Sequence, residues 1–410
     1  MRRVVITSYA RTPIGAFLGD LKTVPVQELA RIAFKAAVER SHIEDLGTID
    51  GSVFGHVISS PEAGNLGRLV NQLAGCPETV PGFTVNRICG SGLQATICAA
   101  QEIWTDNADI YVAGGAESLS RVPYYLPLNY RYEGIKNGNK LLLCSNEEMC
   151  KHTHDEVKYG PIESMGETAE NIVEKYDIPR EDADLFAYQS QMKCKAAVES
   201  GRFAKEIVPV EVVVNKKKGI VNVVDKDGHP RPQTTLEGLA ALKPCFKKDG
   251  RVTAGNSSGM NDAAAALVLM SEEKCLALGL QPLAYVKGYA FGGVDPRVMG
   301  LGPVPAVNKL LQKNGLTLAD IDILELNEAF AAQVLGCCKE WGNYIGTDLY
   351  ERLNPNGGAC ALGHPLGMTG ARLVGTTAIE LNETGKKYGI ATACIGGGQG
   401  AAILLENAMI

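Results

Sequence analysis

With 410 residues, the chain is too long for one small core and long enough for two or three units or one large composite α/β assembly. Its formal net charge of -6, from 46 acidic and 40 basic residues spread along the chain, excludes the concentrated basic surface that nucleic acid requires as main partner. No stretch approaches the roughly 20 apolar residues that span a bilayer, and twelve cysteines at irregular spacing, with no signal peptide ahead of them, point to a reducing compartment and a cytoplasmic location.

The opening Val4-Val5-Ile6 reads as a first strand that moves directly into Arg11-Thr12-Pro13. Apolar residues at helical spacing (Leu29, Ile32, Ala33, Ala36, Ala37) predict a helix over 26–41, and 51–58 reads as a buried strand. A further apolar segment leads into Cys89-Gly90-Ser91-Gly92 and a helix over 93–104, followed by a strand, Ile110 to Ala113, that ends in Gly114-Gly115. From about 122 to 250 the character changes to Tyr, Asn, Lys and Glu. Only 167–176 and 181–203 show helical periodicity there, and 216–231 looks like a hairpin and loop. The last third repeats the order of the first: helix over 304–311, strand over 321–326, and an apolar strand from Ile390 that runs into Cys394-Ile395-Gly396-Gly397-Gly398. This reads as an internal duplication, with two βα-rich halves packed about a pseudo-twofold.

Four polar positions carry candidate chemistry. Cys89 is predicted at a strand-to-helix junction, where unpaired helix amides lower a thiol pKa and the following glycines let a thioester approach the backbone. Cys394 opens a glycine run whose free N–H groups suit a developing oxyanion. His364, in Gly363-His364-Pro365, is the only one of six histidines in glycine-rich surroundings and is suited to take a thiol proton. Asn327 follows a strand, either facing a crevice or capping the next helix. Cys150-Lys151-His152-Thr153-His154 matches no closed zinc pattern and reads as a polar loop, and the glycine order of Gly396 to Gly400 is not that of a dinucleotide loop, so neither metal nor nicotinamide is expected.

Together these segments resemble the thiolase family from about residue 4 to 405. Ala10-Arg11-Thr12-Pro13-Ile14-Gly15, Gly114-Gly115-Ala116-Glu117-Ser118, Val252 to Gly259, Met299-Gly300-Leu301-Gly302-Pro303, Asn327-Glu328-Ala329-Phe330, Gly363-His364-Pro365 and Cys394 to Gly398 all occur in the family order. The resemblance implies a duplicated five-layer αβαβα fold, with residues 1–121 plus 251–281 and 282–410 as its halves and 122–250 as an inserted loop domain. It implies an acyltransferase acting on acyl-CoA and CoA, with no cofactor and as a homotetramer or homodimer. In it Cys89 is the nucleophile, His364 its activator, Cys394 the acid/base, and Asn327 the holder of a water at the enolate. The amides of Cys89 and Gly396 form an oxyanion hole, Met299 lines the acyl pocket, and Met165, Ser258 and Arg231 contact the substrate or its CoA. The family points first to acetyl-CoA acetyltransferase and next to a broad-chain 3-ketoacyl-CoA thiolase. One departure is Ser164 before Met165-Gly166, where acetoacetyl-specific members commonly carry His.

Overall fold

The computed structural model describes residues 2–410. Nine strands follow one path: β1 Val4–Arg11, β2 Gly51–Gly55, β3 Gly82–Val85, β4 Ile110–Ser118, β5 Asn261–Ser271, β6 Ala284–Gly293, β7 Ile323–Leu326, β8 Tyr388–Ile395 and β9 Gln399–Asn407. They run in the order β7-β8-β9-β6-β1-β5-β4-β2-β3. The two halves of this path meet only where Val5 pairs with Tyr285 and Ile6 with Ala284. Each half therefore behaves as a sheet of its own, joined to the other edge to edge.

The strands are apolar on both faces because both faces are covered. Along β5, Ala263, Ala265, Leu267 and Leu269 point into one core, while Ala264, Ala266, Val268 and Met270 point into another. The first of these cores is the middle of the molecule. It holds α3 (Ser91–Trp104) and α8 (Leu366–Thr384), which pack on each other between the sheets. The outer face of the first half is covered by α1 (Val26–Arg40) and α2 (Leu66–Ala74), and that of the second by α6 (Pro303–Asn314) and α7 (Ala331–Glu340). The result is a five-layer αβαβα body. Burying each large aliphatic side chain of the middle layer contributes about 1.5–3 kcal/mol, which is what holds two otherwise separate sheets together.

The duplication is explicit in the element order. β1-α1-β2-α2-β3-α3-β4 and β5 correspond to β6-α6-β7-α7, a residual strand, α8-β8 and β9. The counterpart of β3 has shrunk to a single parallel bridge between Leu324 and Leu353. Between β4 and β5 lies the insertion, with α4 (Met165–Tyr176), α5 (Arg180–Glu199) and a hairpin of Val210–Asn215 with Ile220–Val224.

Several predicted boundaries move, each for a local reason. The hairpin lies earlier than expected, and Lys216 to Lys218 form its turn. α5 stops at Glu199 because Gly201 adopts a left-handed φ of 75°. Gly114 and Gly115 do not end β4 but lie inside it, since a Cβ on Gly115 would overlap the carbonyl oxygen of Gly367 at the start of α8. Gly115 lets helix and strand touch backbone to backbone, while Gly114 makes room for the Phe54 ring and the carbonyl of Ala265.

Candidate active site

Two loops, one from each half, bring the cysteines together. In the first, β3 ends at Val85 and the chain turns sharply into α3. Ile88 there takes a left-handed φ of 46°, a strained conformation for a β-branched residue that commonly marks a functional turn. Asn86 Oδ1 accepts from Ile88 N at 2.9 Å, and Ser91 Oγ accepts from Arg87 N at 2.8 Å, so side chains replace the missing backbone partners. Cys89 follows at once. In the second loop, Gly397 and Gly398, both at φ 82°, turn β8 back into β9. Cys394 is the penultimate residue of β8. The glycine run thus closes a hairpin and does not open a helix.

The loops interlock. A Cβ on Gly90 would overlap Ile395 Cδ1, so the glycine after Cys89 is what admits the neighbour of Cys394. Arg87 stacks over Phe291 at 4.1 Å and donates to Gln399 Oε1 at 2.9 Å, tying the start of one loop to the end of the other.

Cys89, His364, Cys394 and Gly396 line one cavity of about 810 Å³, together with Met165, Ser258 and Met299. Desolvation at Cys89 works against the thiolate expected from the helix start. Burial pushes its thiol up to about 12, against a smaller opposing effect from the N–H groups of Gly396 and of Cys89 itself, which face the sulfur. The helix start supplies amides as the sequence implies, but desolvation outweighs them. Cys394 is raised as well, by burial and then by the charge of Cys89, so ionising either thiol disfavours ionising the other.

His364 precedes α8, where the chain comes out of Gly363. Its backbone N–H donates to Asn261 Oδ1 at 2.9 Å, and Asn261 Nδ2 donates to Gly15 O at 2.9 Å, which fixes the histidine to the first half. Burial first, and the Arg372 charge second, lower the imidazole to about 3. Asn327 lies directly after β7, fully buried, with Nδ2 3.4 Å from His364 Nε2. It is not a helix cap, since α7 begins four residues later behind Phe330. Its Oδ1 has no protein partner.

Arg231 does not reach this cavity. It stands in a neighbouring cleft of about 500 Å³ with Gln191, Thr234 and Thr235, and its guanidinium donates to the carbonyl of His229 at 2.8 Å. The His229 ring rests on Gly259, so the two clefts are separated by one side chain. Ser164 lies on the cavity wall, where its hydroxyl caps α4 in a reciprocal box with Glu167. The polar loop supplies a wall that the sequence did not announce: Met149, Cys150, His152 and Thr153 all face the cavity. His154 turns away, edge-on to Tyr159 with Nε2 3.2 Å from Gly160 O. Among the described residues no group of three or more His, Cys, Asp or Glu side chains is arranged to hold a metal ion, and no helix is long and apolar enough to cross a membrane. Chemically, the site offers two protonated thiols and a neutral imidazole around amides aimed at sulfur, under an apolar roof that includes Phe246 packed edge-on to Phe330.

Comparison with known proteins identifies the family. The family models described as "Thiolase, N-terminal domain" and "Thiolase, C-terminal domain" match residues 4–273 and 280–407. An acetyl-CoA acetyltransferase of Syntrophomonas wolfei is 46% identical over 99% of both chains. A beta-ketoadipyl-CoA thiolase of Pseudomonas putida is 44% identical over 99% of this chain and 100% of its own. The crystal structure of human mitochondrial 3-ketoacyl-CoA thiolase in complex with CoA superposes with a TM-score of 0.90 at 40% identity, covering 99% of this chain and 98% of that one.

Proposed function

The chain belongs to the thiolase family and is an acyltransferase, and from that premise we propose that it is an acetyl-CoA C-acetyltransferase, interconverting two acetyl-CoA with acetoacetyl-CoA and CoA. The observation that carries the reading is the convergence of Cys89, His364, Cys394 and the Gly396 N–H on one cavity.

Cys89 Sγ attacks the thioester carbonyl as its proton passes to His364. Burial raises the thiol to about 12 and lowers the imidazole to about 3, which disfavours a thiolate–imidazolium pair and favours proton transfer that accompanies attack. The N–H groups of Cys89 and Gly396 receive the oxyanion, CoA leaves with the proton, and acetyl-Cys89 remains. Cys394 then passes its own proton to His364 and takes the α-proton of a second acetyl-CoA. The protonated His364 and a water on Asn327 meet the enolate oxygen, and the enolate carbon displaces Cys89, which recovers its proton from His364, to give acetoacetyl-CoA. The water reading is supported by the unpartnered Oδ1 of Asn327. Met299 and Met165 shape the acyl end, Ser258 the pantetheine path, and Arg231, one side chain beyond, the nucleotide end of CoA. No metal or cofactor is needed, because the thioesters themselves are the substrates.

A second reading, a broad-chain 3-ketoacyl-CoA thiolase, is favoured by Ser164, whose small side chain leaves open a cavity otherwise walled by Met149, Met165, Met260 and Met299. CoA-dependent thiolysis of acetoacetyl-CoA beside C6 and C10 3-ketoacyl-CoA separates the two. Activity confined to acetoacetyl-CoA supports the acetyltransferase, comparable activity on the longer substrates transfers the protein to the second reading, and inactivity on all three removes both. Assembly as a homotetramer or homodimer is supported by apolar side chains left exposed in the insertion, among them Leu128, Tyr132 and Ile135; light scattering reads the mass.

A further inference from the structure

We propose that Thr369 is a positioning residue that fixes His364 as its neutral Nδ1–H tautomer, leaving Nε2 as the basic atom on the Asn327 side of the ring. The Thr369 hydroxyl has one proton and two neighbours. It lies 3.0 Å from the carbonyl oxygen of Pro365, which only accepts, and 2.7 Å from His364 Nδ1. Bonding both neighbours at once requires the hydroxyl to donate to Pro365 O and to accept from Nδ1–H. The opposite tautomer would turn the hydroxyl proton to Nδ1 and set its oxygen lone pairs against the carbonyl. It would also aim Nε2–H at the Asn327 amide N–H 3.4 Å away.

The placement is specific. Thr369 lies in the first turn of α8, buried, four residues beyond Pro365, so its hydroxyl reaches back to the carbonyl of the residue that follows His364. Pro365 O also accepts the backbone N–H groups of Met368 and Thr369, at 2.9 and 3.0 Å. Removing the hydroxyl therefore orphans no carbonyl, and its loss falls on the imidazole. With Nδ1–H held by an acceptor that cannot take the proton onward, all proton traffic at this histidine runs through Nε2. The backbone bond to Asn261 fixes where the residue sits, and Thr369 fixes which nitrogen works.

The kinetic consequence rests on the role given to His364 above; the tautomer itself does not. The first test is 15N NMR of histidine-labelled protein at neutral pH, with the His364 signals identified by their loss in His364→Asn. A pyrrole-type Nδ1 and pyridine-type Nε2 are expected, and a pyridine-type Nδ1 overturns the proposal whether or not the protein proves to be a thiolase. The second is Thr369→Val, which keeps the shape and removes the hydroxyl. Loss of an orienting partner to a working imidazole lowers kcat about 10- to 100-fold with KM nearly unchanged, and Thr369→Ser restores most of it. A Thr369→Val enzyme that keeps wild-type kcat and tautomer refutes the assignment. Should Thr369→Val fail to fold, the wild-type spectrum decides.

Discussion

The two halves of this molecule share one plan and use it differently. Cys89 stands two residues before α3, and His364 stands two residues before α8, the helix in the same place in the second half. His56 follows β2 as Asn327 follows β7. Gly55 pairs with Gly115 across β2 and β4, and Leu326 with Thr392 across β7 and β8, so Glu117 holds the position of Cys394. The second half thus offers an imidazole and a thiol to the cavity, with the Asn327 amide buried behind His364. In the first half only Cys89 faces it. His56 and Glu117 form a buried pair at 3.1 Å, and Glu117 accepts from Val57 N and Ile58 N, both at 3.1 Å, and from Gly367 N at 2.9 Å. That carboxylate holds the first turn of α8, the helix that carries Thr369 behind His364. On the proposed mechanism the second-half set moves the proton, while in the first half Cys89 takes the acyl group and His56 and Glu117 anchor the site.

If this division holds, the largest effects belong to the groups at the reacting atoms. Cys89→Ala leaves no acyl acceptor, and both thiolysis and the acetyl adduct seen by intact-protein mass spectrometry vanish. Cys394→Ala keeps the adduct and loses about 100- to 10,000-fold in condensation, the range for a general acid or base; a variant that still condenses places the base elsewhere. Glu117→Gln belongs to the anchoring set. It weakens charge-assisted bonds worth about 1.5–3 kcal/mol each and lowers the urea midpoint, with a smaller fall in kcat. If activity were lost at unchanged stability, the first half would also be catalytic and the comparison would break.

Acid should act through the second half. The folded pKa of His364 lies below its unfolded value of about 6.5, so below that pH the unfolded chain binds a proton that the native state refuses. Stability is full above about 6.5 and falls toward pH 3, near the folded value. His229, lowered to about 4 by burial and then Arg231, adds to the same loss. Urea midpoints from pH 7 to 4 should fall for the wild type and less steeply for His364→Asn. The smallest effect is expected at Ser164→Ala, where loss of a helix cap costs about 1 kcal/mol while kcat hardly changes.

Much of this was legible in the sequence because it rests on local patterns. The helix and strand order of both halves follows from periodicity, and the glycines beside Cys89 and Cys394 are there because two loops touch. What periodicity does not carry is contact between distant segments. Gly114 and Gly115 look like a strand end until α8 is placed against them. The desolvation that opposes a thiolate at Cys89 comes from a cavity walled by Met149, Cys150, His152 and Thr153 and by the second half, while the helix amides that argue for a thiolate are visible locally. Arg231, a CoA contact by resemblance, stands across the His229 ring from the cavity, a placement that no local pattern announces. Thr369 carries no signal of its own, because its meaning depends on one hydroxyl placed between the Pro365 carbonyl and the His364 ring.

The central claim is that the first half takes the acyl group and the second half moves the proton. Its most direct test is intact-mass and peptide analysis of Cys394→Ala after incubation with acetyl-CoA. The account predicts one acetyl group on the peptide that contains Cys89 and acetoacetyl-CoA formation at least about 100-fold slower than wild type. An unacetylated Cys89, or acetoacetyl-CoA formed at the wild-type rate without the Cys394 thiol, would contradict it.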